Sequence, residues 1–486
     1  MNNKSKNISI KKNAIMSGLN RGLSLLFPLI TFAYVSRVLG VTNYGKYNFS
    51  QSIYSYFSLA AGLGIATYAV REGVKYRNDE EKISRFASEI FSINLITTFI
   101  SYIALFALLW ISDGLAEYKD CILICSISMF FSTIGIEWFY GIYEEYTYIT
   151  VRSAVFKVIS LLLMLIFVRQ QEHYLRYAAV CVFATSGSCV LNFLRSKKYC
   201  EIRLIWKNNF KYHIKPLIIF AAMNIAVYIY NSSDITMLGI FSTDSEVGLY
   251  AAASKMYRLI KSVLLAVLTV TIPRLSLYIG QEDKSKYGDL LEKVIHFMNL
   301  TMIPMIVLVI MEGRDILFIV AGADYLGAYS SLVILTLAVI CSMYAWISSQ
   351  CVLVPNGKEK ENLIGTVYGA IMNICLNIFL IPMFGSAGAA FTTILAEFFV
   401  AVYCTVKAKT VADFRYVDKD MISILLGSVG MILCGFLISG FVTNLYCRFV
   451  LSSIISSGLY IIILLLMKNR YAVEIFESVK KVMNYK

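Results

Sequence analysis

Charged residues and prolines are scarce in this chain, and their scarcity excludes most soluble proteins. Of its 486 residues, 15% are charged, 58% are hydrophobic and 6 are proline. A soluble protein of this length would divide into several domains and would carry far more surface charge. The composition therefore predicts an all-α, polytopic membrane protein.

Residue patterns typical of enzymes and metal sites are also missing. The 3 histidines do not cluster with other ligands in the sequence, and the 11 cysteines lack metal-ligand spacing. There is no Ser/His/Asp arrangement, glycine-rich phosphate loop or HExxH motif. We therefore expect no catalytic residue, metal site or cofactor. The polar, basic start leads straight into an apolar segment, so we expect the first helix to act as an uncleaved insertion signal.

Fourteen apolar segments are long enough to cross a bilayer, since about 20 helical residues span its hydrocarbon core. The predicted spans are 13–37, 47–70, 87–111, 119–141, 149–168, 174–194, 216–240, 247–273, 293–311, 325–354, 363–382, 386–406, 421–442 and 447–467. Connections between them are short, which leaves no room for a large soluble domain.

The basic residues are distributed unevenly between the two sides of this predicted membrane protein. Most of the 44 Lys and Arg fall in alternate loops and the two tails. The opposite loops contain only Arg37, Lys46, Lys119, Arg169, Arg176, Arg314 and Arg448. By the positive-inside rule both termini are cytoplasmic. The net charge of +13 thus reflects membrane topology rather than a nucleic-acid partner.

An internal repeat divides the chain. The segment 39–54 (LGVTNYGKYNFSQSIY) is similar to 238–257, with a four-residue insertion, and Gly45 aligns with Gly248. Six helices per repeat return the chain to the same side, which predicts two lobes related by a parallel pseudo-twofold axis. We predict lobes 1–200 and 201–415, followed by two further spans and a tail, 416–486. Transporters built from such repeats bind substrate at the repeat interface near the midplane.

The eighth predicted span is unusual because it contains three cations. Lys255, Arg258 and Lys261 are spaced by three residues and so share one stripe of a helix. A charge near the bilayer centre is costly unless it faces protein or water. We expect the stripe to line an aqueous cavity that attracts an anion. The alternative is that the cations snorkel or pair with buried carboxylates, although only Lys255 lies near enough to an end to snorkel.

Two cations of the first half lie at similar depth, Arg21 in the first span and Lys157 in the fifth. With the stripe they form the predicted substrate-binding set, which comprises Arg21, Lys157, Lys255, Arg258 and Lys261.

Three intramembrane carboxylates are candidates for ion pairing or for coupling transport to an ion gradient. Asp234 matches Lys255 in depth, and Glu137 matches Lys157, so both pairs are expected. Glu397 has no obvious cationic neighbour in the sequence. It is either a carboxylate that binds a proton or a partner for Arg21.

The aromatic run 137–148 (EWFYGIYEEYTY) also lies at the predicted inner face. It suits either an interfacial belt or sugar stacking, and a belt is the more common use of such a run.

Four segments resemble a known family: SRVLGVTNYGKYNFSQS, IEWFYGIYEEYTYITVRSAVFK, DITMLGIFSTDSEVGLYAAASKMYRLIKSV…TIPRLS and LVPNGKEKENLIGTVYGAIMNICLNIFLIPMFGSAGAAFTTILAE. They are similar to the bacterial polysaccharide repeat-unit flippases, which handle O-antigen and capsule units. That family lies within the multidrug/oligosaccharidyl-lipid/polysaccharide exporter superfamily. The resemblance covers nearly the whole chain, with one departure at Glu137, where the family has Asp.

The resemblance implies a V-shaped fold of fourteen helices, the last two sheltering a lipid tail. It also implies transport of undecaprenyl-diphosphate-linked oligosaccharide to the outer leaflet by alternating access. The implied partners are this lipid-linked substrate, the bilayer, a proton or sodium counter-ion, and a polysaccharide polymerase or ligase. A cation-coupled multidrug extruder shares the fold, but its cavity should be acidic. A membrane-embedded polymerase is disfavoured because the outer loops are too short to build its site.

Overall fold

The computed structural model describes residues 10–205, 210–269 and 271–484, and within these ranges every regular element is a helix. This confirms the all-α prediction for the described residues. The chain forms two compact units, Met1–Gly248 and Leu249–Lys486.

The described residues of the first unit form nine α-helices and the start of a tenth. They are α1 (Ile10–Gly62), α2 (Ile65–Gly73), α3 (Glu80–Ile111), α4 (Lys119–Gly135), α5 (Glu137–Ile142), α6 (Tyr146–Phe167), α7 (Tyr174–Ser186), α8 (Cys189–Ser196), α9 (Phe210–Phe241) and α10 (Asp244–Thr269). Helix α10 begins in the first unit and continues into the second.

Helix α1 contains two of the predicted spans and is broken between them. Gly40 adopts a φ of 69°, in the left-handed region that favours glycine because a side chain would clash there. The kink separates the segments 13–37 and 47–70 that the sequence predicted as the first two spans.

The two glycines aligned by the internal repeat pack close to other backbone atoms. A Cβ added to Gly45 would lie 1.8 Å from the carbonyl oxygen of Asp244, and one added to Gly248 would lie 2.2 Å from that of Val41. Both positions therefore need glycine, because a larger residue would force the α1 and α10 backbones apart.

Helix α9 belongs to the first unit by its packing. It contacts α1, α2 and α3, and Leu217 of α9 joins a buried cluster with Ile83, Phe86 and Phe139. The first unit therefore extends to Gly248, whereas the predicted lobe boundary lies at residue 200.

The second unit continues from α10 through α11 (Ile272–Gly280), α12 (Lys284–Ala321), α13 (Tyr329–Trp346), α14 (Glu359–Lys409), α15 (Met421–Phe441), α16 (Leu445–Leu466) and α17 (Arg470–Asn484). A π-helical stretch, Ile347–Leu353, extends α13. Helix α14 is kinked at Gly385, where φ is 54°, and the kink separates the predicted spans 363–382 and 386–406.

The last two long helices pack against α12. Ile424, Met431 and Leu464 form a buried cluster with Leu300, and the Tyr460 hydroxyl donates a hydrogen bond of 2.9 Å to the Leu300 carbonyl. Helices α15 and α16 are thus part of the second unit rather than loosely attached to it.

Eleven helices of the described chain are long and apolar enough to cross a membrane. Helix α10 is not among them, because Lys255, Arg258 and Lys261 put three charges into every 18-residue stretch of it. Large apolar side chains are widely exposed, including Trp110 at 87% and Phe441 at 86%. Soluble proteins rarely expose apolar surface on this scale, so these helices are suited to lipid.

Candidate functional site

The predicted cation stripe lies on a regular helix, α10 (Asp244–Thr269). One face of this helix packs in the protein core through Met256, Ile260 and Leu264. Lys255 is half-buried, and Arg258 is exposed. The helix therefore supplies the predicted spacing and leaves a cation accessible.

Lys261 forms a buried triad with two other side chains. Its Nζ lies 3.2 Å from Oε1 of Glu397 and 3.4 Å from the Tyr257 hydroxyl. The Tyr257 hydroxyl donates to the same Glu397 oxygen at 3.1 Å. The Glu397 side chain is only 7% exposed. Glu397 thus has a cationic partner, Lys261, that the sequence did not reveal. The suggested pairing with Arg21 stays a prediction, because the Arg21 side chain lies outside the described residues.

Arg258 differs from Lys261 in its surroundings. Within the described ranges it forms no ion pair, whereas the charge of Lys261 is balanced by Glu397. A guanidinium offers five donors in a planar fork and stays protonated at all physiological pH values. Arg258 is therefore the position on α10 best suited to hold a phosphoryl group in bidentate geometry.

Of the two predicted site cations in the first unit, the structure describes the side chain of Lys157 but not that of Arg21. Lys157, on α6, is half-buried and donates a hydrogen bond of 3.0 Å from Nζ to Oγ of Ser24 on α1. Arg21 lies on α1, but its side chain falls outside the described residues. Among the described residues Lys157 forms no ion pair with a carboxylate.

Glu137 does not pair with Lys157, which corrects the sequence prediction. Its Oε2 lies 3.5 Å from Nη2 of Arg152, and its side chain is 58% exposed. Lys157 lies five residues farther along α6, a rise of about 7.5 Å, and forms no ion pair with Glu137 among the described residues. Arg152 lies near the end of the predicted span 149–168 and is not among the predicted site cations.

Asp234 is 6% exposed on α9 of the first unit. The Asp234–Lys255 pair joins residues of the two units and stays a prediction.

The aromatic run after Glu137 is a packing element and not an exposed belt. Trp138, Phe139 and Tyr140 are buried, and Phe139 contacts the rings of Tyr143 and Tyr199. The expectation of an interfacial belt was therefore wrong for these three residues. The local reason is that α5 is a short helix that turns inward from Ile136, whose φ of 36° ends α4.

Several charged contacts were missed because their partners are distant in the sequence. Arg448 of α16 binds Asp315 of α12 through Nη2 and Nε, at 2.6 and 2.9 Å. His296 Nδ1 lies 2.8 Å from Asp418 Oδ2. For Asp315, the sequence signal that could have predicted a partner is its position within the apolar helix α12, where a carboxylate requires one.

A group that could hold a metal ion does occur, although the sequence showed none. Ligand atoms of His296, Asp418 and Asp420 lie within 4.8 Å of one another. The hydrogen bond between His296 and Asp418 accounts for their contact without a metal. This group lies on α12 and the α14–α15 connection, away from the stripe in sequence.

Residues 10–278 match the family described as polysaccharide biosynthesis protein. A protein of Shigella dysenteriae, provisionally named an O-antigen transporter, is 22% identical over 404 residues. The match covers 81% of this chain and 98% of the relative.

Two solved structures share the fold. The lipid II flippase MurJ, in an inward-closed conformation, has a TM-score of 0.71 at 18% identity over 93% of this chain and 97% of its own. An inward-facing multidrug resistance transporter of the MATE family and MOP superfamily has a TM-score of 0.63 at 14% identity. That match covers 79% of this chain and 93% of the transporter.

Proposed function

Because the chain belongs to the polysaccharide biosynthesis protein family, we propose that it is a flippase for lipid-linked oligosaccharide repeat units. The substrate is an undecaprenyl-diphosphate-linked oligosaccharide, moved from the cytoplasmic to the periplasmic leaflet for surface polysaccharide synthesis. Support comes from the relative named as an O-antigen transporter, which is similar along almost its whole length.

The observation that carries the proposal is the exposed Arg258 on α10, which has no ion-pair partner in the part of the chain that the structure describes. A diphosphate presents several anionic oxygens, and charge-assisted hydrogen bonds to them are roughly twice as strong as neutral ones. Lys255 lies one helical turn before Arg258 and can add a second point charge. The sugar head group needs shielding from lipid, while the polyprenyl tail can stay in hydrocarbon throughout.

Lys261 and Glu397 give this site a means of releasing its anion. With Glu397 ionised, Lys261 is neutralised and the local attraction for phosphate is weak. With Glu397 protonated or bound to sodium, the Lys261 charge becomes available to the substrate. A proton or sodium ion could in this way couple transport to a gradient, with Asp234 as the second candidate carboxylate.

We further propose fourteen spans with both termini in the cytoplasm of a bacterium. Two of the eleven apolar helices contain a kink between predicted spans, at Gly40 and Gly385, and α10 would add the remaining one. Cysteines placed at Ser245 and Ser386 in a cysteine-free background should react with an impermeant thiol reagent added outside. A cysteine at Asn356 should react only after permeabilisation. Reaction of Asn356 in intact cells would refute this topology.

A multidrug extruder shares the fold, but the likeness to the MATE structure concerns fold alone. Such an extruder binds cations, and the exposed Arg258 would repel them.

The direct test is head-group translocation in proteoliposomes containing the purified chain. A fluorescent undecaprenyl-diphosphate oligosaccharide should become accessible on the opposite leaflet, while a lipophilic cationic dye in matched vesicles should not be moved. Transport of the dye without the oligosaccharide would favour the extruder instead.

A further inference from the structure

A set of buried nitrogen donors in the first unit lacks partners among the described residues, and its members lie on three helices, of which α5 contacts both α6 and α8. In the described part of the chain, four buried side-chain nitrogens have no hydrogen-bond acceptor. They are Trp138 Nε1, Arg152 Nε, Asn192 Nδ2 and Arg195 Nε, which belong to α5, α6 and α8. The other buried atoms without partners are oxygens elsewhere in the chain. Buried donors are normally paired, so this concentration requires an explanation.

Three of these donors surround one tyrosine. The guanidinium carbon of Arg195 lies 3.8 Å from the Tyr148 ring centroid, and that of Arg152 lies 5.6 Å from it. Arg152 Nη1 donates to Oδ1 of Asn192, and the Tyr148 hydroxyl donates to the same oxygen. Asn192 and Arg195 are one turn apart on α8, so their side chains share a face.

The unsatisfied groups in this cluster are all donors. Asn192 Oδ1 already accepts two hydrogen bonds, while its Nδ2 has no acceptor. Asn192 is fully buried and Arg152 is 8% exposed. A ligand that completes the cluster must therefore supply acceptors and no donors. Phosphoryl oxygens meet this requirement, whereas sugar hydroxyls bring donors of their own.

Two carboxylates now balance the arginines, and one of them is loosely held. Glu145 accepts from Arg195 Nη2 at 2.7 Å and also from the Tyr199 hydroxyl. Burial and this bond to Glu145 raise the pKa of Tyr199, so the hydroxyl remains a donor at neutral pH. Glu137, in contrast, is 58% exposed and lies 3.5 Å from Arg152. Its carboxylate is the less firmly held of the two and the more accessible to an incoming anion.

We propose that Arg152, Asn192 and Arg195 form a phosphoryl-binding site in which an incoming phosphoryl group displaces the Glu137 carboxylate. The exchange replaces one anion with another, so the charge balance of the arginines is kept. The phosphoryl group is either the diphosphate of the lipid-linked substrate or the head group of an anionic phospholipid. In the first case the inference rests on the proposed function and adds a site distinct from Arg258.

The experiment measures phosphoryl binding by the purified full chain in neutral detergent, with Arg258→Ala present so that the α10 site contributes little. One arm titrates inorganic pyrophosphate against sodium chloride of equal ionic strength. The other adds phosphatidylglycerol against phosphatidylcholine. Both record the saturable rise in the thermal unfolding midpoint.

Arg152→Lys keeps the positive charge but removes Nε. We expect this variant to raise the half-saturating concentration of the phosphoryl ligand about tenfold, because one charge-assisted contact is lost. Glu137→Gln removes the competing anion and should lower that concentration several-fold. Tighter binding is a result that a purely structural Glu137 would not give. Arg203→Lys is the matched control, because Arg203 pairs with Glu201 on the exposed surface and should have no effect.

A response confined to pyrophosphate supports the substrate diphosphate, and one confined to phosphatidylglycerol supports the lipid head group. Responses to both, with the same dependence on the variants, support the shared phosphoryl chemistry. If Arg152→Lys does not fold, Glu137→Gln decides alone. No saturable response, or one unchanged by Glu137→Gln, would overturn the proposal and leave buried water as the partner of the four donors. Translocation that depends on Arg258 would be unaffected by that result.

Discussion

Arg258 and Arg448 are arginines of the same unit with opposite surroundings. Arg448 forms an ion pair with Asp315, in which Nη2 donates at 2.6 Å and Nε donates at 2.9 Å. Arg258 is exposed and forms no ion pair within the described residues. The ion pair of Arg448 with Asp315 stabilises the packing of α16 against α12. A guanidinium without a counter-charge is free to bind a ligand, so identical side chains can have structural and functional roles.

Removing Arg258 should produce the largest effect on transport. Arg258→Ala deletes the phosphate fork without shortening the apolar helix, and hydrogen bonds to charged groups contribute about 1.5–3 kcal/mol each. We expect surface polysaccharide in a flippase-deficient host to fall by roughly tenfold to a hundredfold at normal protein level. Full activity of this variant would remove Arg258 from the substrate site.

Removing Arg448 should instead act on stability. Arg448→Ala leaves Asp315 without its partner, and we expect the free energy of unfolding to fall by about 1.5–3 kcal/mol. Transport per folded molecule should stay close to that of the native chain. Thermal unfolding in detergent, measured beside Arg258→Ala, tests the contrast: a larger transport defect per molecule for Arg448→Ala than for Arg258→Ala would reverse the two roles.

Conservative replacement sharpens the same comparison. Arg258→Lys keeps the charge but loses the planar fork, so transport should be reduced by roughly three- to fivefold, less than in the alanine variant. The measurement is again surface polysaccharide normalised to protein level. Equal activity of the lysine and native forms would show that Arg258 acts as a point charge only.

The smallest expected effect on transport concerns the Lys261–Glu397 pair. Lys261 is paired with a carboxylate, as Arg448 is, but it lies on the same helix as Arg258. Glu397→Gln frees the Lys261 charge while keeping the side chain's size, so substrate binding should stay intact or tighten and turnover should slow by a few-fold. Translocation in proteoliposomes with and without imposed proton or sodium gradients is the readout. A variant that responds to the gradients as the native protein does would leave Glu397 with a structural role.

Much of the architecture was predictable because local signals specify it. The apolar length of each segment predicts a membrane helix, and the spacing of Lys255, Arg258 and Lys261 places them on one stripe of α10. The breaks at Gly40 and Gly385 fall between predicted spans, since a glycine at positive φ interrupts a helix at the point where the apolar pattern also restarts.

Which charges meet was decided only by the tertiary structure. Glu397 lies 136 residues from Lys261, and Asp315 lies 133 residues from Arg448, so no local pattern could pair them. Glu137 pairs with Arg152 rather than with Lys157, although both cations lie on α6. Sequence determines that a buried charge needs a partner, because desolvation is costly wherever the chain folds. The identity of that partner depends on how distant helices pack.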